Sequence, residues 1–517
     1  MSYLGAIAAQ HPDRLAIVTA GGDDLTYAEL DARSNRLAHL FRGWGLQPGD
    51  GIAVLLGNEA RFAEVYWAAM RTGLYFTPVN WHLTPGEAAY VVDNSDARVL
   101  LASDALRDVA GVVAENAPKV DHRVLVGDGA LPGFARLDEV TAGLPSTPVE
   151  HELEGSTMLY SSGTTGMPKG VRQPLPGTKA GEGLSTGIVL SYLFGMSEGD
   201  RYLCPGPLYH AAPLQFSMAQ HRIGATVVLM DRFDPEAALV HIERFRVTTS
   251  QWVPTMFNRM LKLPEPVRGR YDLSSHRLAI HAAAPCPIPV KRAMIEWWGP
   301  IIIEYYAGTE GGGTLIGSDE WLAHPGSVGR HWSGRTVHVL GEDAKELPAG
   351  AQGAIYFDAA DAPTGAFSYH KDEAKTAASY RGSLYTLGDI GYVDEDGYLF
   401  LTDRRSNMII SGGVNVYPQE VENHLIAHPQ VADCAVIGVP DDDLGEAVKA
   451  VVQLLPGITP SDALAGELQA YCRDALAAFK SPRSIDFVTD LPRQANGKLY
   501  KRLLRDQYWK DRESRLV

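Results

Sequence analysis

The sequence predicts an α/β protein: a large N-terminal domain of two parallel-type α/β subdomains plus a small antiparallel β unit, followed by a small α+β C-terminal domain. Three observations lead there. The chain has 517 residues, more than one hydrophobic core serves, so at least two domains are expected. In its first part, apolar runs of strand length alternate with stretches of helical periodicity, the pattern of parallel sheets covered by helices on both faces. After about Ser327, short β-like runs separated by turn clusters replace that alternation.

The first β/α pattern begins at Ala53-Val54-Leu55-Leu56, passes through a helix-like stretch over 60–72 and returns to an apolar segment at Tyr75-Phe76-Thr77-Pro78-Val79. Val99-Leu100-Leu101 and Arg123-Val124-Leu125-Val126 extend it. The second pattern comprises Ala225-Thr226-Val227-Val228-Leu229-Met230, a helical stretch over 235–245, and Val247-Thr248-Thr249-Ser250. In the antiparallel unit, Thr336-Val337-His338-Val339-Leu340 and Gly353-Ala354-Ile355-Tyr356-Phe357 read as strands. Gly391-Tyr392-Val393 and Tyr398-Leu399-Phe400-Leu401 flank Asp394-Glu395-Asp396-Gly397, a hairpin turn. The domains are expected to be 1–405 and 406–517, the second having ~110 residues, enough for an independent small domain.

Composition narrows the function. A formal net charge of -16 is unsuited to tracking a nucleic-acid backbone, so no nucleic-acid partner is expected. An anionic substrate then needs a local basic or backbone-donor site. Cys204, Cys286, Cys434 and Cys472 stand singly, without a C-x-x-C pair, which implies a reducing compartment and no zinc site. The N-terminus lacks the basic and apolar regions of a signal peptide, and no stretch approaches a membrane span. A cytoplasmic location is expected; a homodimer is left open.

The strongest chemical signal is Tyr160-Ser161-Ser162-Gly163-Thr164-Thr165-Gly166-Met167-Pro168-Lys169-Gly170-Val171. Small residues let backbone N–H groups approach phosphate oxygens, the Ser and Thr hydroxyls add donors, and Lys169 adds a point charge. The order is not that of a Walker A loop. This string resembles the signature of the adenylate-forming superfamily, which includes acyl-CoA synthetases, the adenylation domains of peptide synthetases, and luciferases. Further motifs follow in the family's order over nearly the whole chain. Within the superfamily the sequence is most similar to bacterial fatty-acid or steroid-carboxylate CoA ligases.

The resemblance implies a role for each matching residue. Ser161, Ser162, Gly163, Thr164, Thr165, Gly166 and Lys169 cradle the phosphates of ATP. His210, in Pro207-Leu208-Tyr209-His210, gates the passage between acyl pocket and thiol tunnel; read alone, it is a packing residue. His281-Ala282-Ala283-Ala284-Pro285 resembles the loop that packs on adenine, with Ala283, Ala284 and Pro285 in contact. The family often has glycine at or beside Ala283, where alanine narrows backbone freedom. In Tyr305-Tyr306-Ala307-Gly308-Thr309-Glu310, similar to Y-G-x-T-E, Tyr306 stacks on adenine, Thr309 donates to the α-phosphate and Glu310 helps hold Mg²⁺.

In Tyr385-Thr386-Leu387-Gly388-Asp389, Leu387 replaces the usual threonine, and Asp389 takes both ribose hydroxyls. Asp403-Arg404-Arg405-Ser406 resembles the hinge block: Arg404 matches the arginine on ribose or phosphate, and Ser406 stands where the family usually has Asp or Lys. Gly412 and Gly413 belong to the loop that faces the site during thioester formation. Phe479-Lys480-Ser481-Pro482-Arg483 is a basic patch, either for CoA phosphates or plain surface. Lys498, in a block similar to P-R-x-x-x-G-K, reaches the carboxylate and the α-phosphate as charge develops.

The implied reaction activates a carboxylic acid with ATP as acyl-AMP, then transfers the acyl group to CoA, while the mobile C-terminal domain turns about Ser406. Tyr209, His210, Leu214, Phe216, Trp252, Val253 and Met256 are candidate lining for the acid, with Trp252 equally at home in a core. They point to a medium- or long-chain fatty acid or a steroid-side-chain carboxylate. The alternatives are loading of a separate carrier protein, aryl-CoA formation, or non-catalytic binding of an acyl nucleotide. The presence of both Lys498 and Glu310 argues against the last.

Overall fold

The computed structural model describes residues 3–161, 167–182, 186–361, 366–404, 407–441, 443–493 and 499–510. Among them the strands form four sheets of nine, eight, six and five strands. The nine-stranded sheet is parallel through its middle, where Leu15–Thr19, Thr226–Leu229, Arg201–Cys204, Thr249–Trp252, Leu278–His281 and Ile302–Gly308 lie side by side. The eight-stranded sheet is built likewise around Gly51–Leu55, Tyr75–Pro78 and Ala97–Ser103. The alternating apolar runs of the sequence are thus the buried parallel strands of two α/β layers. Past Ser327 an antiparallel sheet forms around Gly353–Asp358, Asp389–Val393 and Leu399–Arg404. The last sheet, around the long pair Val431–Asp441 and Gly445–Leu454, has cores of its own.

Local signals set the element ends. Thr84 and Glu87 form a reciprocal capping box with Pro85 in the first turn, and the helix Pro85–Asn94 starts there. The helix Ala60–Arg71 matches the expected stretch and is buried on nearly every face. Its Trp67 lies at the centre of a core shared by the two large sheets, where the indole N–H donates to Nδ1 of the buried His221 at 3.1 Å.

Two expected strands shift. The chain takes a left-handed turn at Arg246, with φ of 50°, after the helix Pro235–Arg244, so the strand begins at Thr249 instead of Val247. The strand expected from Thr336 begins at His338. The turn at 394–397 forms as read: Asp394 Oδ1 accepts from the N–H groups of Asp396 and Tyr398. All four cysteines are buried thiols. Among the described residues, no helix is long and apolar enough to cross a membrane.

Candidate active site

Ser156–Ser161 and Lys169–Arg172 form an antiparallel hairpin with Ser161 opposite Lys169. The phosphate-loop candidates Ser162, Gly163, Thr164, Thr165 and Gly166 lie outside the described residues, between these two strands in sequence. Lys169 Nζ is 3.9 Å from Asp372 Oδ2. Burial, and then the neighbouring Lys375 ammonium, hold the Lys169 amine down to about 8.

The outer edge of Lys169–Arg172 pairs with a two-residue strand, Ser368–Tyr369, contributed from almost two hundred residues downstream. That strand brings Tyr369, whose hydroxyl donates to Glu310 Oε1 at 2.8 Å. Among the described residues, the other oxygen of Glu310, Oε2, has no hydrogen-bond partner. Thr309 and Glu310 are the turn between Ile302–Gly308 and Gly311–Gly317, where Gly308 faces Gly311.

Close packing shapes this turn. The Tyr385 hydroxyl accepts from the Gly312 N–H, and a Cβ at Gly311, whose φ is 128°, would meet that oxygen at 2.7 Å. Leu387, where threonine was usual, lies against Gly308 and Gly312; a Cβ at Gly308 would be 2.8 Å from its Cδ2. Glycines are therefore required here because two downstream side chains pack directly on the turn.

The structure joins two residues that the sequence assigned to adenine and ribose. The Tyr306 hydroxyl donates to Asp389 Oδ2 at 2.6 Å. Asp389 is only 6% exposed, so its partners, not bulk water, orient it. The Tyr306 ring is also 6.0 Å from the Phe357 ring. Asp389 stands opposite Arg404 in the ladder of Asp389–Val393 with Leu399–Arg404; only the backbone of Arg404 is described.

In the loop after Leu278–His281, Ala283 is exposed and adopts φ of 75°, the left-handed region that costs an L-residue energy. Ala284 and Pro285 follow it at the surface. Beneath the loop, Lys291 and Glu304 form a fully buried ion pair at 2.5 Å. His281 is 3.5 Å from Glu304 without hydrogen-bond geometry; burial and then the Lys291 charge keep its imidazole well below the usual range.

His210 immediately precedes the helix Ala211–Ile223 and lies beside Tyr209, with ring centroids 4.5 Å apart. Trp81 and His82 complete that aromatic group around Tyr209. Burial, followed by the charge of Tyr500, raises the Tyr209 phenol above its ordinary range. The expected acid-lining set divides between two cores. Leu214 and Phe216 pack on one face of the nine-stranded sheet with Tyr305, whereas Trp252 and Met256 belong to the opposite core with Phe257. Gln251 and Trp252, being adjacent on a strand, point to opposite faces. Trp252 is thus a core residue.

On the C-terminal sheet, Arg493 is held by Asp433, with Nη2 to Oδ1 at 2.7 Å. Arg493 and Leu499 form an isolated antiparallel bridge. Lys498 and the expected hinge Ser406 lie outside the described residues. Gly412 and Gly413, with φ of 57° and 78°, turn the hairpin of Ile409–Ser411 and Val414–Val416, and Ile410 and Val414 beside them are exposed. Gly412 N–H donates to Leu444, so this turn is anchored inside the C-terminal unit. Lys480 of the basic patch is paired with Glu420 at 2.7 Å. Sequence reasoning quoted Tyr385 without a role and missed Tyr369 and Asp372. Only the strand pairing of Ser368–Tyr369 reveals the last two.

The family model described as AMP-binding enzyme matches residues 5–361, and that described as AMP-binding enzyme C-terminal domain matches residues 420–498. The chain is 32% identical to a fatty acid–[acyl-carrier-protein] ligase of Streptomyces coeruleorubidus, over 97% of this chain and 95% of that one. It is 34% identical to a feruloyl-CoA synthase of an Amycolatopsis species, over 95% of each. Among solved structures, an anthranilate CoA ligase in complex with anthranoyl-AMP superposes with a TM-score of 0.83 at 26% identity, covering 98% of this chain and 97% of that one.

Proposed function

We propose, from the premise that this chain belongs to the AMP-binding enzyme family of adenylate-forming ligases, that it is an ATP-dependent carboxylate–CoA ligase acting in two steps. First, a carboxylate oxygen attacks the α-phosphorus of ATP, giving acyl-AMP and pyrophosphate. Then the CoA thiol attacks the acyl carbon, giving the thioester and AMP, with the thiol proton lost to solvent. The observation that carries this reading is the hydrogen-bonded pair of Tyr306 and Asp389 beside the Glu310 turn, itself tied through Tyr369 to the Lys169 strand. An aromatic face, a ribose-sized acceptor and a phosphate-directed lysine on neighbouring hairpins suit one bound nucleotide.

In this reading Tyr306 stacks on adenine beside Ala283, Ala284 and Pro285, and Asp389 accepts from the ribose hydroxyls. Thr309 donates to the α-phosphate, and Arg404 approaches ribose or phosphate. Ser161, Ser162, Gly163, Thr164, Thr165, Gly166 and Lys169 hold the remaining phosphates. The Glu310 carboxylate, held at Oε1 by Tyr369, fits Mg²⁺, which favours one or two carboxylates plus phosphate oxygens. When bound there, the ion neutralises phosphate charge. Lys498 stabilises the first transition state by charge and forms no covalent bond. The domains divide at 405/406. Rotation about Ser406 then withdraws Lys498 and carries Gly412 and Gly413 toward the thiol tunnel that His210 gates.

The acid is proposed to be bulky and hydrophobic, a medium- or long-chain fatty acid or a steroid-side-chain carboxylate, supported by the apolar Leu214 and Phe216 and the aromatic group around Tyr209. The likeness to a feruloyl-CoA synthase keeps aryl acids in the test panel, and the likeness to a carrier-protein ligase keeps a carrier thiol as the second acceptor. AMP release is to be measured over C2 to C16 acids, a C24 bile acid, benzoate and ferulate, with CoA and with a phosphopantetheinylated carrier. Lys498→Ala should lose ATP–pyrophosphate exchange by ~10²–10³-fold while sparing thioester formation from supplied acyl-AMP. Equal loss of both half-reactions overturns the role of Lys498. No AMP release with any acid overturns the activity.

A further inference from the structure

We propose that Asn258 and Lys262 are positioning residues for adenylate formation: together they clasp the C-terminal domain in the orientation that serves the first step. This rests on the role given to Lys498 above.

The two residues lie one turn apart at the end of the helix Pro254–Leu261, so their side chains leave the same face. Asn258 Nδ2 donates to the Ala432 carbonyl at 3.1 Å, and Lys262 Nζ donates to the Val431 and Ala432 carbonyls at 2.9 Å each. Both acceptors head the long C-terminal strand Val431–Asp441. The register break between Val431 and Asp433 leaves Ala432 out of the ladder, and Val431 lies on the edge strand of its sheet. Such a bulge takes a residue out of the ladder and re-aims its groups, here the Ala432 carbonyl toward the other domain.

The contacts continue inward from the bulge. Asp433, the next residue, grips Arg493 through both carboxylate oxygens. Arg493 bridges to Leu499, and the Tyr500 N–H donates to the Pro492 carbonyl at 2.8 Å, so two rungs fix the neck of the segment that ends in Lys498. The clasp is thus joined, through Asp433 and Arg493, to the neck of the segment that carries Lys498. Rotation about the residues near 406 moves both acceptors away from both donors, so all three hydrogen bonds break together.

The test separates the half-reactions in the full-length protein, using exchange of labelled pyrophosphate into ATP with the best acid of the panel, and thioester formation from supplied acyl-AMP and CoA. Lys262→Ala should slow exchange about tenfold, the effect of losing hydrogen bonds from a charged donor, and leave thioester formation equal or faster. Lys262→Arg should recover most of the exchange, because a guanidinium also donates to carbonyls. Unchanged exchange in the double variant Asn258→Ala/Lys262→Ala overturns the clasp, as does an equal fall in both half-reactions. Lys498→Ala is run alongside. If it alone splits the half-reactions, the clasp fails and the functional reading stands. If Lys498→Ala spares exchange, the reading fails and the clasp with it.

Discussion

Removing the Tyr306 hydroxyl should weaken ATP use strongly, and only while Asp389 keeps its charge. The hydroxyl donates to Asp389 Oδ2 at 2.6 Å, and Asp389 is 6% exposed, so little water can replace the donor. A hydrogen bond to a charged group contributes about 1.5–3 kcal/mol. Tyr306→Phe should therefore lower kcat/KM for ATP by roughly 10- to 150-fold, at 1.4 kcal/mol per factor of ten. The ring itself stays against Phe357, so the protein should still fold, with its melting temperature lowered by a few degrees at most. In an Asp389→Asn background the phenol meets a neutral amide, and the same change should cost only about 0.5–1.5 kcal/mol. The four proteins form a double-mutant cycle, read by pyrophosphate exchange at varied ATP, with expected coupling of about 1 kcal/mol or more. Additivity within about 0.5 kcal/mol would falsify the idea that Tyr306 orients the Asp389 carboxylate. So would a loss confined to the KM for the acid.

Three further outcomes follow from the same geometry. Because burial and Lys375 hold the Lys169 amine down to about 8, the site loses positive charge as pH rises through that value, so the KM for ATP should climb above about pH 8. Lys169→Arg, charged throughout, should abolish that break, and a flat wild-type profile to pH 9.5 refutes the assignment. Tyr369→Phe removes a hydroxyl that donates to Glu310 and should raise the Mg²⁺ concentration for half-maximal exchange by about 5- to 30-fold, worth about 1–2 kcal/mol; an unchanged Mg²⁺ titration counts against it. Ala283→Gly relieves a left-handed alanine and should leave stability equal or up to about 1 kcal/mol higher in denaturant melts. Ala284→Gly, without that φ, should lose about 0.5–1 kcal/mol, and equal losses at both positions remove the strain from consideration.

The parts legible in the sequence are those written locally. A parallel strand buried on both faces needs a continuous apolar run, so Val99-Leu100-Leu101 and its like announce themselves. Tyr306 and Asp389 were legible because motif residues carry their chemistry with them. Tyr369 was not. It lies on a two-residue strand with no periodicity to read, and its partner strand is almost two hundred residues away. The strand at Thr249 was misplaced by two residues because apolar Val247 looked like its start, whereas the left-handed Arg246 delays it. The lining set divided for a different reason: burial is legible from composition, but the face on which a strand residue is buried follows from register, and Trp252 fell on the far one.

The clasp on Val431 and Ala432 has an implication for building hybrid enzymes. Its acceptors are main-chain carbonyls, which every residue carries, so the C-terminal side imposes almost no demand on side-chain identity. The pair of Asp433 and Arg493 lies wholly within the C-terminal unit and travels with it when that unit is exchanged. To engage the clasp, a foreign C-terminal unit grafted after residue 405 needs the same bulged start to its long strand. The discriminating information stays on the recipient, in two side chains of a single helix. Compatibility between such halves should accordingly follow the residues at positions 258 and 262 more closely than overall sequence identity.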